Sequence, residues 1–473
     1  MSDTATTAAS KSGAQRNPKA AVPILLFSFV FCLVIDNGFK FMSQPIADDL
    51  GLSVTEVSLQ ATLAGIVIGI GAVVYAAMAD AINIRTLMLI GVSLICVGSL
   101  LGFLFSGSWP LVLAGRIIQT SGLAAAETLY VIYVTKYLSR DDQKTYLGFS
   151  TSAFQLALLI GTLTSGYVAT YISWTAMFLI PLAMLLTVPF IIKQIPEQQA
   201  TQSSLDVLGL LLITVIATSV MLYMQQFQPL YLIPIVLGIG FFVWHINISP
   251  KALVKPAFFK NGRYVWAITL VLIIYSTQLG YILFLFPYAM RDLQGLTLDQ
   301  ASLMVAPGYA CAVIVGALSG KIGQFMSSRT TIFAALIGIT ASLAASAVTL
   351  ESGRIPLILS AIVFASSFAL MYAPLVATAI SNIPAEQSGV AIGFYNLTIN
   401  IAIPVGIAYT AKLIDLKLNL FGALTAATTQ TGVNYASVMW IITLIALVGT
   451  VIYFLADRTM LRNERRTAAL SNA

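Results

Sequence analysis

Charge is what this sequence has least of. Asp, Glu, Lys and Arg make up 9% of its 473 residues, against about 25% in ordinary soluble domains, while 58% of the chain is hydrophobic. That balance excludes a water-soluble globular fold. Histidine occurs once, at His245 beside Trp244, which excludes the clustered imidazole chemistry of most membrane enzymes and leaves that residue an interfacial role. The three cysteines, Cys32, Cys96 and Cys311, lack the even count and spacing of a disulfide or zinc framework, so each is expected to pack in its apolar run. The stretch GALSGKIG (316–323) fails as a phosphate-binding loop, because three residues rather than four separate Gly316 from Gly320-Lys321 and Ile322 stands where Ser or Thr is needed. The first twenty residues are polar and contain no apolar core with a small-residue cleavage site, so they are expected to be a flexible cytoplasmic tail.

What the chain has in abundance is apolar runs of the length, about 20 residues, that a helix needs to cross a bilayer. Reading between charges, Pro and Gly gives fourteen: 21–45, 54–79, 86–106, 109–137, 145–171, 174–193, 207–225, 229–248, 264–290, 299–320, 330–349, 355–382, 388–413 and 435–456. An even number puts both ends on one side. Loops of that parity carry Arg85, Lys136, Arg140, Lys144, Lys193, Lys251, Lys255, Lys260, Arg263, Lys321 and Arg329, whereas the opposite loops carry only Arg291, Arg354, Lys412 and Lys417. The positive-inside rule therefore predicts that both termini are cytoplasmic. The net charge of +6 reflects this topology and does not imply a nucleic-acid partner.

The stretches LSVTEVSL (52–59) and LTLDQASL (296–303) each place a hydroxyl residue three positions before Glu or Gln, the pattern of a capping box at a helix start. They are offset by 244 residues, and the same offset aligns Arg85-Thr86 with Arg329-Thr330. The expected organisation is a tail (1–20), an N-terminal six-helix bundle (21–193), a linker (194–206), two inserted helices with a loop (207–263), a C-terminal six-helix bundle (264–456) and a second tail (457–473). The fold class is all-α and integral to the membrane. Paired repeats around a central site are the architecture of secondary transporters.

Several motifs carry a family resemblance. Asp36 is followed nine residues later by Pro45; the loop YAAMADAINIRT (75–86) retains Asp80 and Arg85, with Ala76 and Asn83 in place of glycines; GRIIQTSGLAAAE (115–127) holds Arg116 and Gln119; and LIGTLTSG (159–166) has Gly161 and Gly166, with Thr162 where a proline is usual. These resemble the first-helix signature, the cytoplasmic gating motif, the proton-transfer motif and the antiporter motif of the major facilitator superfamily, in its fourteen-span drug:proton antiporter branch. Within that branch the whole chain is similar to bacterial tetracycline efflux proteins. The resemblance implies a multi-pass protein of the bacterial cytoplasmic membrane that works as a monomer without a cofactor. It would exchange a drug, as a divalent-metal chelate, for protons, and Asp80 and Arg85 would form a cytoplasmic gate.

The charge inventory points to a site independently. Only Asp36, Lys40, Arg116 and Glu127 lie well inside spans, and they sum to zero. Unpaired, each would cost about 2.5 to 3.5 kcal/mol at a helix centre, so pairing or a wet cavity is required. Asp36 and Lys40 are four apart on one face, and Arg116 and Glu127 are eleven apart, about three turns. Asp36 is predicted to contact Arg116 or Lys40. Asp36 and Glu127 are the candidate proton or cation sites, tuned by the two cations, although a purely structural salt-bridge network fits the same residues. The second bundle offers Gln278, Tyr281, Tyr372, Phe394, Asn396 and Asn400, which with Gln119 are the candidate lining of a drug cavity. No metal-ligand cluster is evident, so any metal would arrive with the drug. Alternatives are a multidrug or lipophile exporter, a monovalent-cation/proton antiporter and, from other classes, a channel or a membrane enzyme.

Overall fold

The computed structural model describes residues 18–196, 206–249, 261–381 and 385–471, together with Ala252, Pro256 and Ile383. Among them are helices and no strands, and fourteen helices are long and apolar enough to span a membrane. Numbered spans 1 to 14, they are Pro18–Phe41, Val54–Ala76, Ile84–Leu104, Trp109–Tyr137, Ser152–Tyr171, Trp174–Gln194, Val207–Gln226, Pro229–Ile248, Gly262–Gln294, Leu298–Ser319, Ser328–Val348, Arg354–Ile380, Phe394–Asp415 and Gln430–Thr459. The end of the molecule carrying the Lys- and Arg-rich loops is called the basic end below, and the opposite end the far end.

Spans 1–6 and 9–14 pack by the same plan. Span 3 lies against span 4, and span 11 against span 12; span 1 crosses span 5, and span 9 crosses span 13. The last two crossings use glycine in equivalent places. A Cβ at Gly161 would lie 2.7 Å from the Val34 carbonyl oxygen, and one at Gly406 only 1.7 Å from that of Ser276, so neither position admits a side chain. The Arg-Thr pairs also repeat in role. Arg85 Nε donates to the Ile195 carbonyl oxygen (2.8 Å), tying the start of span 3 to the end of span 6, and Arg329 Nε pairs with Asp457 Oδ2 (2.5 Å), tying the start of span 11 to the end of span 14.

The halves meet where span 2 packs on span 13 and span 5 on span 10. Spans 7 and 8 form a hairpin docked through span 7 on that first seam: Met221 packs between Ile66 and Ala408, and Gln225 donates to the Thr55 carbonyl (3.2 Å) and Ser58 Oγ (2.8 Å). His245 is not simply interfacial. Its Nε2 lies 2.7 Å from Asp206 Oδ1, which joins the basic ends of the two inserted helices.

Two local expectations are corrected and two local features are added. Span 1 ends at Phe41, not at position 45: Pro45 has no N–H for the Phe41 carbonyl, the chain breaks at Met42, and a short helix Ser43–Leu50 follows. Gln60 Nε2 donates to the Phe39 carbonyl (2.8 Å), which also accepts from the Met42 N–H, and to Ser43 Oγ (3.0 Å), fixing the break against span 2. The capping box forms at Ser53 and Glu56, but Thr297 makes no side-chain cap and donates its hydroxyl to Asp299. Span 9 contains a π-helical turn, Gly280–Leu285, just before Pro287, whose missing N–H leaves the Leu283 carbonyl without its usual helical partner. Finally, the helix of span 14 continues beyond its membrane-length stretch and runs unbroken from Gln430 to Ser471.

Candidate functional site

Close packing of spans 3 and 4 builds one wall of the site. A Cβ at Gly98 would fall 2.2 Å from the Gln119 backbone nitrogen, and one at Gly115 2.7 Å from that of Gly102. This backbone contact brings Ser99 beneath Gln119, whose Nε2 donates to Ser99 Oγ (2.8 Å) while its Oε1 accepts from Arg116 Nη1. The Arg116 guanidinium stacks on the Phe39 ring, with Cζ 4.1 Å from the centroid, and its Nη2 donates to Asp36 Oδ1 at 3.3 Å. Asp36 Oδ2 accepts from Lys40, one turn along the same helix. Arg116, Asp36 and Lys40 are 1%, 2% and 5% exposed, so the charges are held almost wholly by one another.

Asp36 therefore contacts both of its predicted partners. The carboxylate carries two cations, and only Glu127 brings the group back to neutrality. Glu127 lies within electrostatic reach of Asp36 and Lys40. It is half-buried, and its Oε1 is withdrawn from solvent with no hydrogen-bond partner among the described residues. A buried carboxylate oxygen without a donor is costly, which singles Glu127 out within the group.

Across the molecule, Tyr372 donates to Asn396 Oδ1 (3.4 Å) and meets Tyr395 edge-on. Asn400 lies one helical turn beyond Asn396, and its Cβ would come within 3.1 Å of a Cβ added at Gly69, so this face of span 13 looks toward span 2. Gln278 is 4% exposed with Oε1 unpartnered among the described residues, and Phe394 is half-buried at the start of span 13.

Two of the expected cavity residues sit elsewhere. Gln119 is fully buried, its Oε1 on Arg116 and its Nε2 on Ser99, so here it positions Arg116 and does not line an open cavity. Tyr281 is enclosed within the second bundle, bonded to Ser346 Oγ (2.7 Å) and packed edge-on against Phe364 and Phe286. The antiporter-motif residues are packing elements here: Gly161 passes span 1, Gly166 faces Ser302 of span 10, and the Thr162 hydroxyl bonds back to the Leu158 carbonyl (2.9 Å), continuing the helix where proline is usual. At the gate motif, Asn83 caps span 3 by accepting from the Arg85 N–H, which accounts for the departure from glycine there, while the Asp80 side chain lies outside the described residues.

Polar contacts that local patterning did not reveal bridge the halves at the far end. Arg291 Nη1 donates to Asp48 Oδ1 (2.5 Å); the Thr55 N–H donates to Asp415 Oδ2 (2.8 Å); and Asp299 accepts from Thr170 Oγ1 (3.1 Å) and the Tyr171 hydroxyl (3.0 Å). Each contact joins an acid of one half to a donor of the other, and both halves supply acids, so together they form a latch. An exposed ion pair contributes about 1 kcal/mol at most, so Arg291→Ala is expected to leave thermal stability nearly unchanged while shifting the opening equilibrium about fivefold. Labelling of an Asn400→Cys reporter by a membrane-impermeant thiol reagent, applied from the far side, measures that shift. An unchanged labelling rate would show that Arg291 does not hold the far end closed.

Residues 24–407 match the Major Facilitator Superfamily. The chain is 25% identical over 455 residues to the Quinolone resistance protein NorB of Staphylococcus aureus strain COL, covering 90% of this chain and 95% of the relative, and 26% identical over 446 residues to its counterpart in strain MW2 (88% and 93%). Among solved structures it is similar to a peptide transporter POT mutant (TM-score 0.68, 14% identity, 92% of this chain and 95% of the other). It is also similar to a D-xylose-proton symporter (TM-score 0.63, 15% identity, again 92% and 95%). The paired bundles, the seams between them and the match over most of its length agree: this chain is a membrane transporter belonging to the major facilitator superfamily.

Proposed function

We propose that the protein is a secondary active exporter that exchanges an amphiphilic cationic drug for protons across the cytoplasmic membrane of a bacterium, with both termini cytoplasmic. The observation that carries this reading is the charge count around Asp36. With Asp36 ionised beside Lys40 and Arg116, the group is +1 when Glu127 is protonated and neutral when Glu127 is ionised. A proton and a cationic substrate therefore compete for one negative charge, which is the coupling that antiport requires. Drug would enter from the cytoplasmic end toward Gln278, Tyr372, Phe394, Asn396 and Asn400, and displace the Glu127 proton. The bundles would then rock about the seams of spans 2 and 13 and spans 5 and 10, and a proton from outside would release the drug.

A tetracycline chelated to a divalent metal fits this scheme as a planar cation, with the metal carried by the substrate. The relatives named for quinolone resistance make a quinolone the second candidate drug. No resident cofactor enters the scheme, and a monomer as the working unit is part of the proposal, supported by both bundles belonging to one chain. Purified protein in liposomes with an imposed pH gradient, given tetracycline with magnesium, a quinolone, sodium or a lipophilic cation, tests the reading. Gradient-driven accumulation of at least one drug is expected. Flux of every substrate that ignores the gradient would refute exchange, and gradient-driven flux of sodium alone would favour the monovalent-cation antiporter.

A further inference from the structure

Closure of the far end leaves one polar group stranded. Tyr288, on span 9 just beyond the π-helical turn, is 2% exposed, and its hydroxyl has no hydrogen-bond partner among the described residues. That hydroxyl nevertheless lies within electrostatic reach of Arg291, Asp48, Asp415 and Asp292. Each of those acids is already engaged. Asp48 accepts from Arg291 and from Gln44 Nε2 (3.3 Å), Asp292 from Arg291 Nε (2.7 Å) and the Tyr435 hydroxyl (2.5 Å), and Asp415 from the Thr55 N–H.

The internal repeat shows what is unusual about this arrangement. The 244-residue offset pairs Asp48 with Asp292 and Gly51 with Gly295, and both glycines take the left-handed conformation, at φ +63° and +61°. Arg291 therefore stands between two equivalent acids, one from each half. The same offset pairs Gln44 with Tyr288. Gln44 lies one turn before Asp48 and donates to it, whereas Tyr288, one turn before Asp292, donates to none of the described residues, because Arg291 and Tyr435 occupy the two oxygens of that acid. The Tyr288 ring is held all the same: it lies 5.5 Å from the Phe284 ring and carries the Arg291 guanidinium 5.4 Å from its centroid.

A buried hydroxyl without a partner is destabilising, and water or an acid satisfies it once it is uncovered. Arg291 and Asp48 join across the seam between the halves, so separation of the far end frees Arg291 and admits water beside Tyr288. We infer that Tyr288 is a counterweight to the far-end latch: its hydroxyl is unpaired in the closed form, gains a partner in the open form, and so keeps the latch weak enough to release. This role concerns the opening equilibrium alone and involves neither drug nor proton, so it stands or falls separately from the exchange reaction.

Tyr288→Phe provides the test, because it keeps the ring and its contact with Arg291 and removes only the hydroxyl. Without drug or pH gradient, the Asn400→Cys reporter is labelled from the far side by a membrane-impermeant thiol reagent, and modification is read on the reporter peptide by mass spectrometry. Tyr288→Phe is expected to lower the labelling rate about tenfold, a shift of about 1.4 kcal/mol, opposite in sign to Arg291→Ala. Its thermal unfolding temperature is expected to equal or exceed that of wild type. Unchanged or faster labelling would overturn the inference. So would a variant that unfolds at a lower temperature or fails to fold, since either result would mean that the hydroxyl is bonded in the closed form.

Discussion

Arg116→Ala is expected to destabilise the protein by about 3–5 kcal/mol, the cost of removing one partner from a buried ion pair. The side chain is 1% exposed, and its loss takes away the Asp36 contact, the partner of Gln119 Oε1 and the cation over Phe39 at once. Thermal unfolding of purified protein measures the loss. Adding Asp36→Asn to Arg116→Ala is expected to recover part of it, since a neutral amide no longer demands a second cation. Arg116→Lys should also fall short of wild type: an ammonium supplies the charge but not the planar fork that reaches Asp36 and Gln119 together. Strict additivity of the two single changes would show that Asp36 and Arg116 do not act as a pair.

Glu127→Gln is expected to have the largest effect on transport and little on folding. The amide keeps the size of the acid, and Glu127 Oε1 has no hydrogen-bond partner among the described residues to lose. One-for-one exchange sustains up to about tenfold drug accumulation per pH unit, so about two units allow about 100-fold. Glu127→Gln should reduce that to about unity and weaken binding of a cationic drug as well, because the amide fixes the group in the charge state of the protonated, drug-releasing form. The same change should flatten the dependence of transport on pH. Wild-type accumulation by the variant would assign the charged group a structural role only.

These two predictions rest on different kinds of legibility. The pairing of Asp36 with Lys40 and Arg116 follows from helical spacing and from the cost of burying charge, and both contacts are present. Gln119 and Tyr281 show where that reasoning stops. Periodicity places each on an inward face, but it does not say whether inward means a cavity or another helix. Gln119 meets Ser99 because Gly98 and Gly115 let two backbones touch, and Tyr281 meets Ser346 because its long side chain reaches span 11 across the interior of the second bundle. The failed capping box has a similar origin: the Thr297 hydroxyl turns to Asp299, which also holds span 5 through Thr170 and Tyr171.

From the sequence alone came the membrane, the fourteen crossings, the repeat and the basic end, since all of these depend on composition and on residues within a turn or a loop of one another. Only the tertiary structure decided which donor completes Asp36 from 80 positions away, that Arg291 latches Asp48 from 243 away, and that Arg263 and Arg329 line one cavity. The physical reason is that a helix's own hydrogen bonds and apolar periodicity set its length and inward face. Its partner is selected by how closely two backbones can approach, and here that depends on glycines and prolines whose effects appear only when distant spans are brought together.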